Sequence, residues 1–214
     1  MDEDITIINE KTRNEKIKNF LIENKKILIS VFLFFVIIFI GFYSYQIYND
    51  SNREQLSDKY NNTVIEYNKG EKLKVISKMI EIVEDQDTTY SPLALYFLID
   101  NNLIGNKGKV NDLFDILINK TSLKKEIKNL IIYKKALFNA DSFDENQLLD
   151  VLSPLLNTEN VWKSHALYLL AEYFYSKNEK QKSKEFFNKI INLDNYNKDI
   201  KIKAQKRLTR DLSD

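Results

Sequence analysis

The chain of 214 residues contains no cysteine, two prolines, four glycines, one histidine and one tryptophan. Each scarcity excludes something. Without cysteine there is no disulfide, no thiol nucleophile and no thiolate zinc site, although an oxidising compartment remains compatible. His165 is the sole imidazole and has no cysteine to join it, so it reads as a packing or surface residue rather than a zinc ligand or general base. An excess of one charge is missing too. The 32 Lys and Arg residues against 31 Asp and Glu leave a formal charge of +1, which gives neither a nucleic-acid footprint nor a field for acidic substrates. Abundant Lys, Asn and Ile fit an AT-rich genome, so the Asn-x-Thr sequons at Asn61 and Asn119 carry no meaning by themselves.

One absence is local, and it organises the rest. No charged residue occurs from Ile27 to Asn49, and ILISVFLFFVIIFIGFYSY fills Ile27 to Tyr45. At ~1.5 Å per residue this run covers roughly 28 Å, close to the ~30 Å hydrocarbon core of a bilayer. The sequence therefore predicts a transmembrane helix over residues 27–48. A cleaved signal peptide fits less well, because a signal core is only ~7 to 15 residues long and no small-x-small site follows here. Phe42, Tyr43, Tyr45 and Tyr48 instead form an aromatic belt of the kind found at headgroup depth. Lys11, Arg13, Lys16, Lys18, Lys25 and Lys26 precede the run, while Arg53, Lys59 and Lys69 follow it more sparsely. The positive-inside rule then places residues 1–26 in the cytoplasm and residues 49–214 outside it, in the periplasm of a bacterium. Glu10, Glu15 and Glu23 do not alter this, since the rule counts cations rather than net charge. After an acidic start at Asp2, Glu3 and Asp4, the tail reads as a short helix with Ile17, Phe20 and Leu21 on a narrow side at the lipid surface.

Beyond the run, Leu56, Tyr60, Val64 and Tyr67 continue the helix until Asn68 and Gly70 break it. Eight more helices are predicted. Leu73, Ile76, Ile80 and Val83 mark the second, and a loop starts at Glu84. Ser91 as N-cap and Pro92 at the first helical position open the third. A turn from Gly105 to Gly108 precedes the fourth, marked by Val110, Phe114 and Leu117. Ile127, Leu130, Ile131, Leu137 and Phe138 mark the fifth, which ends at the Asp141 to Asp144 turn. Leu148, Leu152 and Leu155 mark the sixth, kinked or shortened by Pro154. The seventh runs from Val161 to Tyr175, the eighth from Lys180 to Ile191, and the ninth from about Lys198 to Leu212. No stretch alternates with period two for long enough to argue a sheet, so the expected class is all-α.

The helices also repeat. Ile76/Ile80/Val83, Val110/Phe114/Leu117, Leu148/Leu152/Leu155 and Ser183/Phe187/Ile190 share the spacing i, i+4, i+7. Their first members are offset by 34, 38 and 35 residues (76 to 110, 110 to 148, 148 to 183). A period near 34 with two helices per unit is the tetratricopeptide signature, in which neighbouring pairs stack because one pair cannot hide its own apolar face. The last unit carries the pattern best: Leu167, Leu170, Ala171 and Phe174 on its first helix, Ser183, Phe187 and Ile190 on its second. Asn195 stands where proline is usual, and the basic last helix reads as a solvated cap.

A charged tail with EKIKNFLIENKK from Glu15, one span, a helix leading out of it, degenerate repeats and NVWKSHALYLLAEYF from Asn160 together resemble one bacterial family. It is the ancillary SecYEG translocon subunit family: single-pass inner-membrane proteins with a periplasmic tetratricopeptide-like domain. The similarity covers essentially the whole chain. It implies a non-enzymatic scaffold whose partners are translocon subunits, a membrane-anchored periplasmic chaperone and emerging secretory chains. A tetratricopeptide adaptor in envelope assembly or cell-division coordination is the alternative, because a fold does not fix its partner.

No catalytic or metal motif is legible. Glu84, Asp85 and Asp87 lack the spacing of a calcium loop, and Asp141, Asp144 and Glu145 read as a turn and helix cap. Gly105 to Gly108 lacks the Gly-Lys-Ser/Thr ending of a phosphate loop, and the basic residues of the last helix are not interleaved with aromatics. The expectation is no enzyme, no cofactor, no metal and no nucleic acid. Trp162, Phe114, Phe174, Phe186 and Phe187 read as core. Tyr96, Tyr133, Tyr168, Tyr173 and Tyr175 are the candidate partner contacts on the inner face of the repeat curve.

Overall fold

With so little glycine and proline, long stretches have nothing to interrupt the i to i−4 ladder, and the residues described form helices and no strand. The computed structural model describes residues 15–16, 18–194 and 197–212, with the side chain of Asn49 left out. Asp2, Glu3, Asp4, Glu10, Lys11, Arg13, Ile17 and Asn195, all used in the sequence reading, lie outside the described residues. The helices are α1 (Lys25–Asn68), α2 (Lys72–Glu84), α3 (Tyr90–Asp100), α4 (Lys107–Asn119), α5 (Lys125–Asn139), α6 (Glu145–Leu156), α7 (Lys163–Ser176), α8 (Lys180–Ile191) and α9 (Lys198–Asp211). Residues 18–23 are helical too and lead into α1 through a turn at Asn24.

The chain divides into two compact units, one ending at Gln55 and the other starting at Leu56. In the first, α1 holds an 18-residue window with a mean hydropathy of 2.7 that is 0% buried. It is long and apolar enough to cross a membrane by length and composition. The second unit contains the hydrophobic core, and its first element is the end of α1, where Leu56, Tyr60, Val64 and Tyr67 pack as the sequence spacing requires.

Helix ends show how the chain manages without glycine. Gly70, at φ +93°, closes α1, but Asn102 and Asn178 take the same left-handed conformation after α3 and α7, at φ 51° and 65°. In each case the following N–H reaches back five residues: Glu71 to the Glu66 carbonyl, Leu103 to Leu98 and Glu179 to Phe174, at 3.2, 2.9 and 2.9 Å. Asp144 opens α6 with a capping box, its carboxylate accepting from the Gln147 N–H while the Gln147 side chain accepts from the Asp144 N–H. Ser91 is not the N-cap expected from the sequence. It lies inside α3, and its buried hydroxyl donates to the Ile82 carbonyl at 2.6 Å, tying α3 to the end of α2. Asp87 gathers the leading N–H groups instead, accepting from Thr89 and Tyr90 at 2.8 and 2.7 Å. Pro154 sits inside α6, which ends two residues later.

Three apolar clusters follow one another along the second unit. The first joins the end of α1 to α2, α3, α4 and one side of α5, the second joins the other side of α5 to α6 and one side of α7, and the third joins the other side of α7 to α8 and α9. From α2 onward each helix packs on the next, and α5 also meets α7 as α7 meets α9. The first part departs from this rhythm, because there it is α2 that meets α4. Val110/Phe114/Leu117, Leu148/Leu152/Leu155 and Ser183/Phe187/Ile190 are all buried. In α2 the fully covered set is Val75/Met79/Ile82, with Val83 beside it, whereas Ile76 and Ile80 are only half-buried and Leu73 is 87% exposed. The register read from the sequence is thus one residue late in α2. The first offset becomes 35 residues (75 to 110).

Candidate interaction surface

The residues assigned to packing in the last unit are all buried: Leu167, Leu170, Ala171 and Phe174 from α7, Ser183, Phe187 and Ile190 from α8. Ala171 has no exposed surface and belongs to the cluster of Phe187, Ile190 and Ala204, so α7 presents its small residue where α8 and α9 close on it. Glu172, one position on, accepts both arms of the Arg207 guanidinium, from Nε at 2.8 Å and from a terminal nitrogen at 2.7 Å. Arg207 also pairs with Asp211, and its guanidinium lies 4.2 Å above the Tyr175 ring. Two carboxylates therefore hold its pKa above the usual arginine value, and Arg210 with Arg207 draws Asp211 down to about 2. Such bidentate, ring-backed contacts fix α9 on α7 with a geometry a lysine could not reproduce.

The candidate tyrosines divide. Tyr173 is a correction: it is 8% exposed, and its hydroxyl donates to the Phe143 carbonyl at 3.2 Å, anchoring the loop before α6. Its ring belongs to the core and is not offered to a partner. The other four are half-buried. Tyr96 of α3 carries Lys134 of α5 at 5.7 Å over its ring. Tyr133 of α5 stacks on Trp162 at 5.7 Å and meets the edge of His165 of α7. Tyr168 packs against Phe187 at 5.4 Å, and Tyr175 lies under Arg207 of α9. A row of ring contacts thus links alternate helices, α3 to α5, α5 to α7 and α7 to α9. Burial first, then the Asp100 charge, pushes the Tyr96 hydroxyl up to about 12; burial, then hydrogen bonding to Glu172, does the same to Tyr168. For His165 burial comes first and Lys203 adds to it, holding the imidazole below its ordinary value against the opposing pull of the Val161 carbonyl.

A groove of about 510 Å³, lined by none of these rings, opens between α6, α7 and α8. Leu149, Leu156, Leu167, Phe186 and Leu193 supply its apolar wall; Lys163, Lys189, Asn157 and Asn192 supply its polar groups. Sequence reading missed it, yet a signal was present. Leu148-Leu149, Leu155-Leu156 and Phe186-Phe187 are apolar doublets in which one member is fully buried and the other half-buried. A helix facing one core needs only one member of each, so the second faces something else.

Among the described residues no group of three His, Asp or Glu side chains stands close enough to hold a metal ion. What the arrangement offers chemically is apolar area, ring faces and a few fixed charges, which suits recognition. No family model matches the chain, and no curated protein or solved structure matches it significantly.

Proposed function

We propose that this protein is a membrane-anchored, non-enzymatic scaffold that binds other proteins, with α1 spanning the bacterial inner membrane and the unit after it forming a periplasmic tetratricopeptide-like solenoid. The observation that supports it best is α1 itself. One helix carries an apolar window in which no residue is buried, and the residues at its end, Leu56 to Tyr67, belong to the core of the unit that follows. The regular α5–α7–α9 contacts and the small residue Ala171 between α8 and α9 are what stacked helix pairs require. The cations before the span favour a cytoplasmic N-terminus. The layout of tail, span and repeats supports an ancillary role at the SecYEG translocon, linking it to a membrane-anchored periplasmic chaperone that handles emerging chains.

Two experiments test this reading. Protease added to spheroplasts should remove the region after Gln55 and leave the tail before Lys25; protection of the larger unit overturns the orientation. Affinity purification of the full chain in mild detergent should recover translocon subunits or a membrane-anchored chaperone. Recovery of envelope-assembly or division proteins instead transfers the scaffold to that setting.

A further inference from the structure

We infer that the groove between α6, α7 and α8 is a docking site for a short, acidic, apolar segment of a partner protein. The inference rests on the reading of this chain as a protein-binding scaffold, but not on which complex it serves. The charge of the groove decides what fits. Its lining includes two cations, Lys163 and Lys189, and no carboxylate. Lys163 is held at 2.6 Å by Glu159, which is itself mostly exposed, while Lys189 lies 4.4 Å over the Phe186 ring and makes no ion pair among the described residues. An occupant with carboxylates beside its apolar side chains gains Lys189 and shares Lys163 with the exposed Glu159, whereas a basic one meets repulsion at close range.

Shape and polarity narrow the class further. A volume of about 510 Å³ walled by leucine and phenylalanine takes two or three aliphatic or aromatic side chains. Asn192 and Asn157 flank that wall, and the Asn157 amide nitrogen already donates to the Ser153 hydroxyl, which leaves its carbonyl oxygen to accept. Amides that both donate and accept match a peptide backbone; an acyl chain would cover them without giving a partner back. The wall is also set firmly enough to bind without rearrangement: Phe186 stacks on buried Phe174 at 5.3 Å with 9° between the rings, and Leu167 is almost fully buried.

The test uses the full chain in nanodiscs and a fluorescein-labelled ten-residue peptide of alternating leucine and glutamate, read by anisotropy against protein-free nanodiscs. A matched peptide with lysine in place of glutamate, and oleate as a competitor, complete the set. The expected result is saturable binding of the acidic peptide, at least tenfold weaker binding of the basic one, and at least a tenfold loss for Lys189→Glu. Lys163→Glu combined with Lys189→Glu should reverse the preference between the two peptides. Filling the groove with Leu193→Trp should abolish binding with the helical circular-dichroism signal unchanged. Equal binding of both peptides, indifference to Lys189→Glu, or displacement by oleate at lower concentration than by unlabelled peptide overturns the inference. Should partners still be recovered with Leu193→Trp, the scaffold reading stands and only the groove assignment fails; loss of all partners from the unmodified chain would instead remove the scaffold reading.

Discussion

The two ends of α1 are made from the same backbone and solve opposite problems. Between Ile27 and Tyr48 large apolar residues point in every direction and stay exposed: Phe32, Leu33, Phe34 and Phe35 follow one another round a full turn of the helix, and none meets a core. Between Leu56 and Tyr67 the apolar residues other than Ile65 keep to one stripe, and that stripe packs into the core, with Tyr60 and Tyr67 against Tyr90 and Phe97 of α3. A helix apolar all round needs an apolar medium around it, whereas a striped one needs only a neighbour. Buried polar detail follows the same division. Thr63 in the striped segment is fully buried with its hydroxyl donating to the Lys59 carbonyl, and Glu66 accepts from Lys78 at 2.7 Å, so this part of α1 is fastened by specific contacts.

The sharpest way to break that comparison is to damage one unit and watch the other. Phe187 is fully buried between α7 and α8, and Phe187→Ala leaves both a lost transfer term and a cavity, about 3–5 kcal/mol together. Thermal melting of the full chain should show that loss while carbonate extraction leaves the protein in the membrane fraction. The converse change is Ile38→Lys, which sets a charge in the middle of the apolar run at a cost of about 2.5–3.5 kcal/mol for insertion. Membrane retention should fall, and the melting of the protein that does insert should stay where it was. If Ile38→Lys lowers melting as much as Phe187→Ala does, the two units are not independent and the membrane reading of α1 loses its main support.

Much of this was legible because helices announce themselves by period. The bounds of α8 were read to the residue, and the end of α1 was read from Asn68 and Gly70 alone. What period could not decide was which of two adjacent stripes faces inward. In α2, Leu73, Val75, Ile76, Met79, Ile80, Ile82 and Val83 form an apolar band about half the helix wide, broad enough for two adjacent stripes, so the choice of Val75/Met79/Ile82 belongs to α3 and α4, which pack there. Ser91 was misread for a related reason. A serine before a proline is a good cap, but the Ile82 carbonyl lies within its reach in the folded chain, and Asp87 was better placed for the N–H groups. The groove was hidden because it joins residue 149 to residue 193, and nothing local signals that meeting.

A smaller change sharpens the account of how the last helices close. Ala171→Leu adds methylenes where α7 meets Phe187, Ile190 and Ala204, and should cost about 1–3 kcal/mol. Gln181→Leu, on the exposed side of α8, adds similar apolar bulk without entering a contact and should stay within about 0.5 kcal/mol of wild type. Because α9 packs on both α7 and α8, hydrogen exchange in α9 should quicken in Ala171→Leu before the core of α2 to α4 is affected. Equal melting of Ala171→Leu and wild type would show that Ala171 does not sit at the closest approach of α7 and α8.

The smallest expected effect is a pH dependence centred on His165, the only imidazole in the chain. Burial between Tyr133 and Trp162, with ring centroids at 5.7 and 5.1 Å, disfavours the imidazolium, and the Lys203 charge adds to this. Its folded pKa therefore lies below the ordinary 6.5 that it regains on unfolding. Between those two values the unfolded chain binds more protons than the folded one, so stability is complete above 6.5 and declines as the pH falls through that window. The carboxylates answer at lower pH: Glu66 and Asp211 are both held below their ordinary 4.5 and 3.8 by lysine or arginine partners, so their contribution is lost only as the solution becomes more acidic. The two ranges separate in a melting series from pH 7.5 down to pH 3. Replacing His165 by glutamine should remove the decline between 6.5 and the folded pKa and leave the acid limb unchanged. If the upper decline persists in His165→Gln, another group carries it and the half-buried imidazole beside Trp162 is not its source.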